Sequence, residues 1–178
     1  MNDHEAQELI ATAVEGGGRL WADLGAGSGT FTRALRALLP RGSLIYAVDV
    51  DPATIADLSR LRDGVIPIQA DFSKPIELPE HEEAPLDGLL LANALHFVRD
   101  AEGVLRRLVK LLRPGGRAVI VEYDRRVASR WVPYPIESAR WSALATAVGL
   151  QEPRITARRP SMYAGELYVA VAERADAA

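Results

Sequence analysis

The chain contains a glycine-rich segment that follows directly on its first apolar run. Residues 21–32 read WADLGAGSGTFT, with glycine at three alternate positions, Gly25, Gly27 and Gly29. Thr30 then begins a stretch whose apolar residues have helical spacing. Glycine has no Cβ, so such a turn can adopt positive φ and let a ligand approach its N–H groups. An apolar run, a glycine turn and a helix in this order predict the first half of a nucleotide-binding βαβ unit.

Charge and composition narrow the classes of function that are open to the chain. The formal net charge is −3 over 178 residues, which predicts neither a nucleic-acid partner nor an anionic membrane surface. There is no cysteine and there are only three scattered histidines, so we expect no metal site. We find no pattern of a signal peptide or of a membrane span, and we therefore predict a cytoplasmic location.

Apolar runs alternate with helical patterns along most of the chain. The predicted strands are residues 19–24, 43–48, 65–70, 86–92 and 117–121. The predicted helices are residues 5–14, 30–39, 52–61 and 100–112. This alternation predicts a parallel α/β sheet, and Pro67 inside the third strand indicates that this strand lies at a sheet edge. The first helix is expected to pack against the sheet edge, and residues 72–85 to form a polar loop.

The last part of the chain has a different pattern. After an irregular stretch at residues 125–135, a helix is predicted from residue 136 or 137 to residue 148, with Trp141 in the core. Two strands follow, at residues 151–159 and 166–173. Their short connection predicts an antiparallel pair.

Aspartates follow the second and third predicted strands. Asp49 lies about 20 residues after Gly29, where dinucleotide-type folds place an acid on ribose hydroxyls. Asp51 precedes Pro52 and has the pattern of a helix N-cap. We therefore assign a ligand role to Asp49 and a structural role to Asp51. Asp71 stands at the end of the third strand.

By residue 124, the order of motifs resembles that of the class I S-adenosylmethionine-dependent methyltransferases. The matching motifs are DLGAGSG at 23–29, VDVDP at 48–52, ADF at 70–72, LLLANALHF at 89–97 and LLRPGGRAVIVEYD at 111–124. The resemblance implies a three-layer α/β/α sandwich with a seven-stranded, mostly parallel sheet and an antiparallel last strand, the Rossmann-like methyltransferase fold. It implies a single methyltransferase domain over residues 1–178, with an N-terminal helix and linker in 1–18 and a catalytic core in 19–174.

The resemblance also implies S-adenosylmethionine as the cofactor, with S-adenosylhomocysteine as its product. Asn93 and Ala94 would contact the methionyl end from the terminus of the fourth strand. The residues implied around the methionine part are Asp23, Gly25, Ala26, Gly27 and Gly29.

The same resemblance implies the contacts of the adenosine part. Asp49 would bind both ribose hydroxyls, and Asp71 would accept a hydrogen bond from the adenine amino group. Phe72 and Val50 would flank the ring. The cofactor has no phosphate, and the glycine turn lacks the lysine that a P-loop needs.

Two other classes of function stay open. A nicotinamide-dependent oxidoreductase favours the spacing G-x-G-x-x-G/A, whereas Thr30 stands at the third small position here and Gly29 comes two residues after Gly27. A cofactor-binding module without activity has the same motifs as an enzyme.

Methyl transfer from a sulfonium needs mainly proximity, alignment and exclusion of water, so catalytic residues need not be of specific types. His96, Glu122 and Tyr123 follow the fourth and fifth strands and are the candidate catalytic residues, with His96 as a candidate general base. The structural alternatives are a rim or capping residue for His96 and strand-end solvation for Glu122 and Tyr123.

The acceptor is predicted to be a small molecule, with a protein side chain as the second choice. The fourth motif reads NALH and lacks the Asn/Asp-Pro-Pro-Tyr/Phe pattern linked to amino-nitrogen methylation. Either the acceptor site is shallow, or residues 3–14, 72–85 and 125–135 form a lid, with or without a second subunit of a homodimer.

Two groups of arginines are given different roles. Arg125, Arg126 and Arg130 are expected to flank the pocket mouth, where they could hold an acidic substrate. The predicted solvated strand face carries Arg154, Arg158 and Arg159.

Overall fold

A computed structural model describes residues 1–79, 85–124, 127–161 and 165–175. Its strands are β1 (Leu20–Leu24), β2 (Leu44–Asp49), β3 (Val65–Gln69), β4 (Leu86–Ala92), β5 (Leu112–Asp124), β6 (Leu150–Pro160) and β7 (Glu166–Arg174). They form one sheet in the order β3-β2-β1-β4-β5-β7-β6. The first five strands pair in parallel, and β7 is antiparallel to both β5 and β6. The predicted fold class is therefore confirmed.

Helices cover both faces of this sheet. They are α1 (Asp3–Val14), α2 (Thr30–Leu38), α3 (Pro52–Leu58), α4 (Ala101–Leu108) and α5 (Trp141–Ala147). Side chains of α1 and α2 pack with Trp21 and Leu90 on one face, whereas α4 and α5 pack with Ala22 and Leu91 on the other. Successive strand residues point to opposite faces, so both faces of these central strands are apolar. Trp141 is buried, as predicted.

The edge position of β3 is also confirmed. This strand pairs only with β2 among the described strands, and Pro67 stands opposite Ala47. Proline has no N–H to donate to a ladder, so an edge strand tolerates it.

Several predicted boundaries shift where local hydrogen bonding differs from the apolar pattern. The predicted helix 100–112 ends at Leu108 and continues as a 3₁₀ turn, Val109–Leu111. β5 begins at Leu112 rather than at residue 117, because Leu112 already pairs with Leu86 and a register shift follows before Arg117. The 3₁₀ turn Ser138–Arg140 forms the start of the predicted helix 136–148.

The position of α1 corrects the prediction that this helix packs against the sheet edge. It begins at Asp3, where Asn2 and Glu5 form a reciprocal capping box. Its buried residues join the cluster that contains Trp21, Val119 and Val169, so the helix lies over the sheet face beside α2. Among the described helices, none is long and apolar enough to cross a lipid bilayer.

Candidate active site

The glycine turn between β1 and α2 is held against β2 by backbone hydrogen bonds. Gly25 N and Ala26 N both donate to Val48 O, at 2.8 and 3.0 Å. Gly25 has a φ of 78°, and a Cβ built on it would lie 2.7 Å from the Ala94 side chain. Gly27 has a φ of 51°, yet a Cβ there would meet only Gly25 O, at 4.0 Å. The turn is therefore tightly packed at Gly25 and open to a ligand at Gly27.

Asp49 at the end of β2 fixes the open part of this turn. Its Oδ2 accepts from Gly27 N at 2.8 Å, and its Oδ1 accepts from Asp51 N at 3.0 Å. Each carboxylate oxygen can accept a further hydrogen bond, so the group can still bind hydroxyls. Asp51 caps α3 by accepting from Ala53 N at 2.9 Å, which confirms its structural role.

A cavity of about 430 Å³, called here the β2–β3 cavity, opens beside Asp49. Phe97 is 57% exposed at its rim and was not predicted as a site residue, although it ends the fourth motif. Exposed Val50 and partly buried Phe72 supply further apolar surface, which suits a flat aromatic ring. The lining residues are Gly25, Gly27, Asp49, Val50, Ala70, Asp71, Phe72, Ser73, Asn93, Ala94, Phe97 and Val98.

Asp71 is presented to this cavity by a local turn. Its Oδ1 accepts from Ser73 Oγ at 2.6 Å and from Ser73 N at 3.0 Å, and its Oδ2 lies 3.2 Å from Lys74 Nζ. The hydrogen bond from the Ser73 hydroxyl, with smaller contributions from Lys74, lowers the pKa of Asp71. The carboxylate is therefore an ionised acceptor at neutral pH.

A second cavity of about 420 Å³, the glycine-loop cavity, adjoins the first and shares Gly25, Gly27 and Asn93 with it. Tyr123 contributes to its wall. Sequence reasoning offered residues 3–14, which form α1, as one alternative for a lid, but it missed the contribution of β6, because only the tertiary fold brings that strand to the glycine turn. The lining residues are Met1, Glu5, Gly25, Ala26, Gly27, Ser28, Thr30, Phe31, Ala92, Asn93, Tyr123, Arg159, Pro160, Ser161 and Leu167.

Asn93 stands where the two cavities meet. It has a φ of 52°, and its backbone N–H donates to Val121 O at 2.8 Å. Its side-chain Oδ1 is buried and has no hydrogen-bond partner in the part of the chain that the structure describes. Buried polar atoms are nearly always hydrogen-bonded, so this oxygen points to a ligand that donates an N–H or O–H here.

Two of the residues that were predicted to contact the cofactor line neither cavity and instead support the glycine turn. Asp23 is 1% exposed and accepts from Thr32 Oγ1 at 2.6 Å. Burial raises the pKa of Asp23 to about 7, a rise that the Thr32 hydrogen bond opposes and the charge of Asp49 reinforces. Gly29 begins α2 at a φ of 78°, and a Cβ there would lie 2.9 Å from Leu58.

His96 and Glu122 form a buried pair that lines neither cavity. His96 Nδ1 lies 2.5 Å from Glu122 Oε2, and His96 N donates to Glu122 Oε1 at 3.1 Å. The two side chains are 2% and 0% exposed. The His96 ring lies 4.4 Å from that of Phe97 and 6.0 Å from that of Tyr123, between centroids. A carboxylate on Nδ1 fixes the orientation of the imidazole ring.

One of the three arginines predicted on the solvated strand face lies elsewhere. Arg154 and Arg158 lie on the strand face and pair with Glu173 and Asp124. Arg159 instead reaches Glu5 on α1 and lines the glycine-loop cavity, which corrects its assignment to a solvated face.

Residues 125 and 126 lie outside the described residues, as do 80–84 of the predicted loop at 72–85. Arg130 lies over the ring of Trp131, 4.5 Å from its centroid, and Trp131 is exposed. Among the described residues, no group of three or more His, Asp or Glu side chains is arranged to hold a metal ion.

Comparison with known proteins agrees with this architecture. Residues 22–118 match the family model of a methyltransferase domain. The chain is 30% identical over 126 residues to a ubiquinone biosynthesis O-methyltransferase of Xylella fastidiosa, an alignment that covers 68% of this chain and 49% of that protein. It is 28% identical over 113 residues to a ubiquinone/menaquinone biosynthesis C-methyltransferase of Idiomarina loihiensis, covering 60% of this chain and 43% of that protein. The chain thus spans about half the length of these curated relatives.

A solved structure extends the match over nearly the whole chain. The 1,6-didemethyltoxoflavin-N1-methyltransferase of Burkholderia thailandensis, bound to 1,6-didemethyltoxoflavin and S-adenosylhomocysteine, has a TM-score of 0.74 and 26% sequence identity. The alignment covers 98% of this chain and 78% of that one. Together with the family model and the sheet order, this match shows that the chain belongs to the class I S-adenosylmethionine-dependent methyltransferase superfamily.

Proposed function

We propose that the protein transfers the methyl group of S-adenosylmethionine to a small-molecule acceptor. The observation that carries this proposal is the pair of adjoining cavities that share Gly25, Gly27 and Asn93. They lie at the carboxyl ends of parallel strands, where open α/β sheets bind ligands.

The residues of the β2–β3 cavity fit the adenosine part of the cofactor. Asp49 lines this cavity and would bind the ribose hydroxyls, and the ionised carboxylate of Asp71 would accept from the adenine amino group. Val50, Phe72 and Phe97 supply the apolar surfaces for the ring.

The turn residues fit the methionyl part. Gly27 leaves room beside its backbone, and Asn93 Oδ1, which has no partner in the described parts of the chain, can accept from the α-amino group. Ala26 lines the glycine-loop cavity and Ala94 the β2–β3 cavity. Asp23 and Gly29 then act by holding the turn in shape.

When bound, S-adenosylmethionine supplies an electrophilic methyl carbon whose leaving group is a neutral thioether. The protein's part is to align the acceptor with this carbon for in-line displacement and to keep water away.

We propose that Tyr123 lies beside the acceptor, since it lines the glycine-loop cavity. His96 would take the acceptor's proton, and Glu122 would position the imidazole through Nδ1 and leave Nε2 as the basic nitrogen. Because His96 is 2% exposed, this role requires the ring to become accessible when the acceptor binds.

The base role of His96 can be tested separately from cofactor binding. Turnover of His96→Ala should fall by about 10²–10⁴-fold, because a general base contributes a factor of this order. Its affinity for S-adenosylhomocysteine should stay unchanged, since His96 lines neither cavity. Equal turnover in His96→Ala and the wild type would contradict the role.

The acceptor class is supported by the names of the relatives, which include ubiquinone biosynthesis O-methyltransferases and a 1,6-didemethyltoxoflavin-N1-methyltransferase. The test is release of S-adenosylhomocysteine from S-adenosylmethionine against a panel of hydroxylated aromatic and heterocyclic small molecules, with peptides as the second arm. Turnover of a small molecule supports the proposal, and turnover of peptides alone would contradict it. Cofactor binding with no turnover in either arm would favour the inactive module.

Three further predictions from the sequence belong to the same proposal. We predict that residues 1–178 act as a single methyltransferase domain, which the single sheet and the packing of α1 on α2 support. A homodimer and a cytoplasmic location are also predicted, and gel filtration and cell fractionation test them.

A further inference from the structure

Two opposite charges face each other at the glycine-loop cavity. Glu5 lies in the first turn of α1 and Arg159 near the end of β6, and Arg159 Nη2 donates to Glu5 Oε1. Their side chains are 33% and 37% exposed. Of the described residues that line this cavity, Arg159 has the only cationic side chain and Glu5 the only anionic one. The cavity wall thus presents one charge of each sign.

The position of Glu5 is fixed by the structure around it. Its Oε2 accepts from Asn2 N at 2.9 Å, and Asn2 Oδ1 accepts from Glu5 N at 2.9 Å. The neighbouring Asp3 pairs with Arg33 through two hydrogen bonds, at 2.7 and 2.9 Å. Arg33 also donates to Ser28 O at 3.0 Å, which joins the start of α1 to the glycine turn itself.

The methyl donor ends in a group with the same two charges. The α-carbon at its amino acid end carries both an ammonium and a carboxylate, and the side chain of this carbon leads to the sulfonium sulfur. A guanidinium matches the planar geometry of a carboxylate, and a carboxylate accepts from an ammonium. Asn93 lines the same cavity, and its buried Oδ1 has no hydrogen-bond partner among the described residues.

We propose that Arg159 binds the α-carboxylate of the methyl donor and that Glu5 binds its α-ammonium group. The proposal rests on the function proposed above and assigns two further binding residues to it, one from α1 and one from β6. When the ligand binds, Arg159 and Glu5 lose part of their contact with each other, and each pairs instead with the ligand group of opposite charge. The neighbouring Arg154 and Arg158 take no part, because they pair with Glu173 and Asp124 and do not line the cavity.

The test compares two ligands that differ only at the amino acid end. Wild type and Arg159→Leu are titrated calorimetrically with S-adenosylhomocysteine and with 5′-methylthioadenosine, which lacks the amino acid. Arg159→Leu should weaken the binding of S-adenosylhomocysteine by about tenfold or more, because a charge-assisted hydrogen bond is lost. The affinity for methylthioadenosine should change by less than about twofold. The matched control Arg154→Leu removes a cation from the same strand and should change neither affinity.

Glu5→Gln serves as a second variant that keeps an acceptor for the capping box. Glu5→Gln should also weaken the binding of S-adenosylhomocysteine more than the binding of 5′-methylthioadenosine. Unchanged S-adenosylhomocysteine affinity in Arg159→Leu, or an equal loss for both ligands, would overturn the assignment. Failure of both ligands to bind the wild type would reject the proposed function itself and is a distinct result.

Discussion

At the scale of single residues, Gly27 is a position where an added side chain should affect ligand binding more than folding. A Cβ at this position would extend into open space, whereas the backbone φ of 51° carries a cost for any L-residue. The cavity space beside Gly27 is therefore available for a ligand and not used for packing.

Replacing Gly27 by Ala should weaken the binding of S-adenosylhomocysteine by about tenfold or more, because the alanine side chain enters space that the ligand needs. The free energy of unfolding should fall by only about 1–2 kcal/mol, from the left-handed backbone. Calorimetry and urea unfolding measure the two effects. Gly16→Ala is the control, since Gly16 has a φ of 69°, meets nothing within 4 Å and lies away from both cavities. Equal S-adenosylhomocysteine affinity in the two variants would refute this view of Gly27.

Asp23 gives a prediction of pH dependence. Burial raises its folded pKa from 3.8 to about 7, so between these values the folded state holds a proton that the unfolded state has lost. Its contribution therefore lowers the free energy of unfolding as the pH rises from about 4 to about 7, at roughly 1.4 kcal/mol per unit, and is constant above that range.

Asp23→Asn keeps an oxygen that can accept from Thr32 and removes the titration. Urea unfolding between pH 4.5 and 8 should show the variant gaining stability over wild type by a few kcal/mol as the pH rises. Asp57→Asn, at an exposed position, is the control. Parallel pH profiles for Asp23→Asn and the wild type would show that this carboxyl does not titrate as described.

At the scale of elements, Asp87 connects the starts of two central strands. It lies in β4, and its Oδ2 accepts from Arg19 N and Leu20 N at 2.6 and 2.9 Å, at the start of β1. Its Oδ1 accepts from Arg113 Nε at 2.6 Å. Burial acts to raise the pKa of Asp87, but the hydrogen bonds from Arg113 and from the two backbone N–H groups together outweigh it and lower the pKa.

Asp87→Ala should lower the free energy of unfolding at pH 7 by about 2–4 kcal/mol, because two backbone donors and a guanidinium lose a charged acceptor. The difference from wild type should shrink as the pH falls below about 4, because the carboxyl of the unfolded chain then takes up a proton, whereas the lowered pKa keeps folded Asp87 charged until a lower pH. The exposed Asp57–Arg60 pair provides a control, since Asp57→Ala should change stability by less than about 1 kcal/mol. Similar losses for both alanine variants would contradict the role of Asp87.

The sequence predicted the strands and helices better than it predicted the long-range contacts between them. Apolar runs located the described parallel strands, because a strand that is buried on both faces has nearly continuous apolar residues, and Pro67 marked β3 as an edge strand. The sequence could not place Arg159 against Glu5, since that contact joins residues 154 positions apart through the position of α1. Boundaries also shifted where 3₁₀ turns and the β5 register shift use hydrogen bonds that apolar spacing does not report.

At the scale of the whole molecule, the sheet order places the candidate site. The chain runs outward from β1 to β3 and then returns to add β4 on the other side of β1. The carboxyl ends of β1 and β4 form the switch point of this topology, where a crevice opens for a ligand. Gly25 and Gly27 follow β1 and Asn93 follows β4, which explains why these residues are shared by both cavities.

The most direct measurement is a calorimetric titration of the wild-type protein with S-adenosylhomocysteine and with NAD. We predict binding of S-adenosylhomocysteine at micromolar concentrations and no binding of NAD. Asp49→Ala should weaken the binding by about 1–3 kcal/mol, whereas Asp51→Ala, which removes only the cap of α3, should leave the affinity unchanged. Binding of NAD without binding of S-adenosylhomocysteine would contradict the methyltransferase assignment of this site.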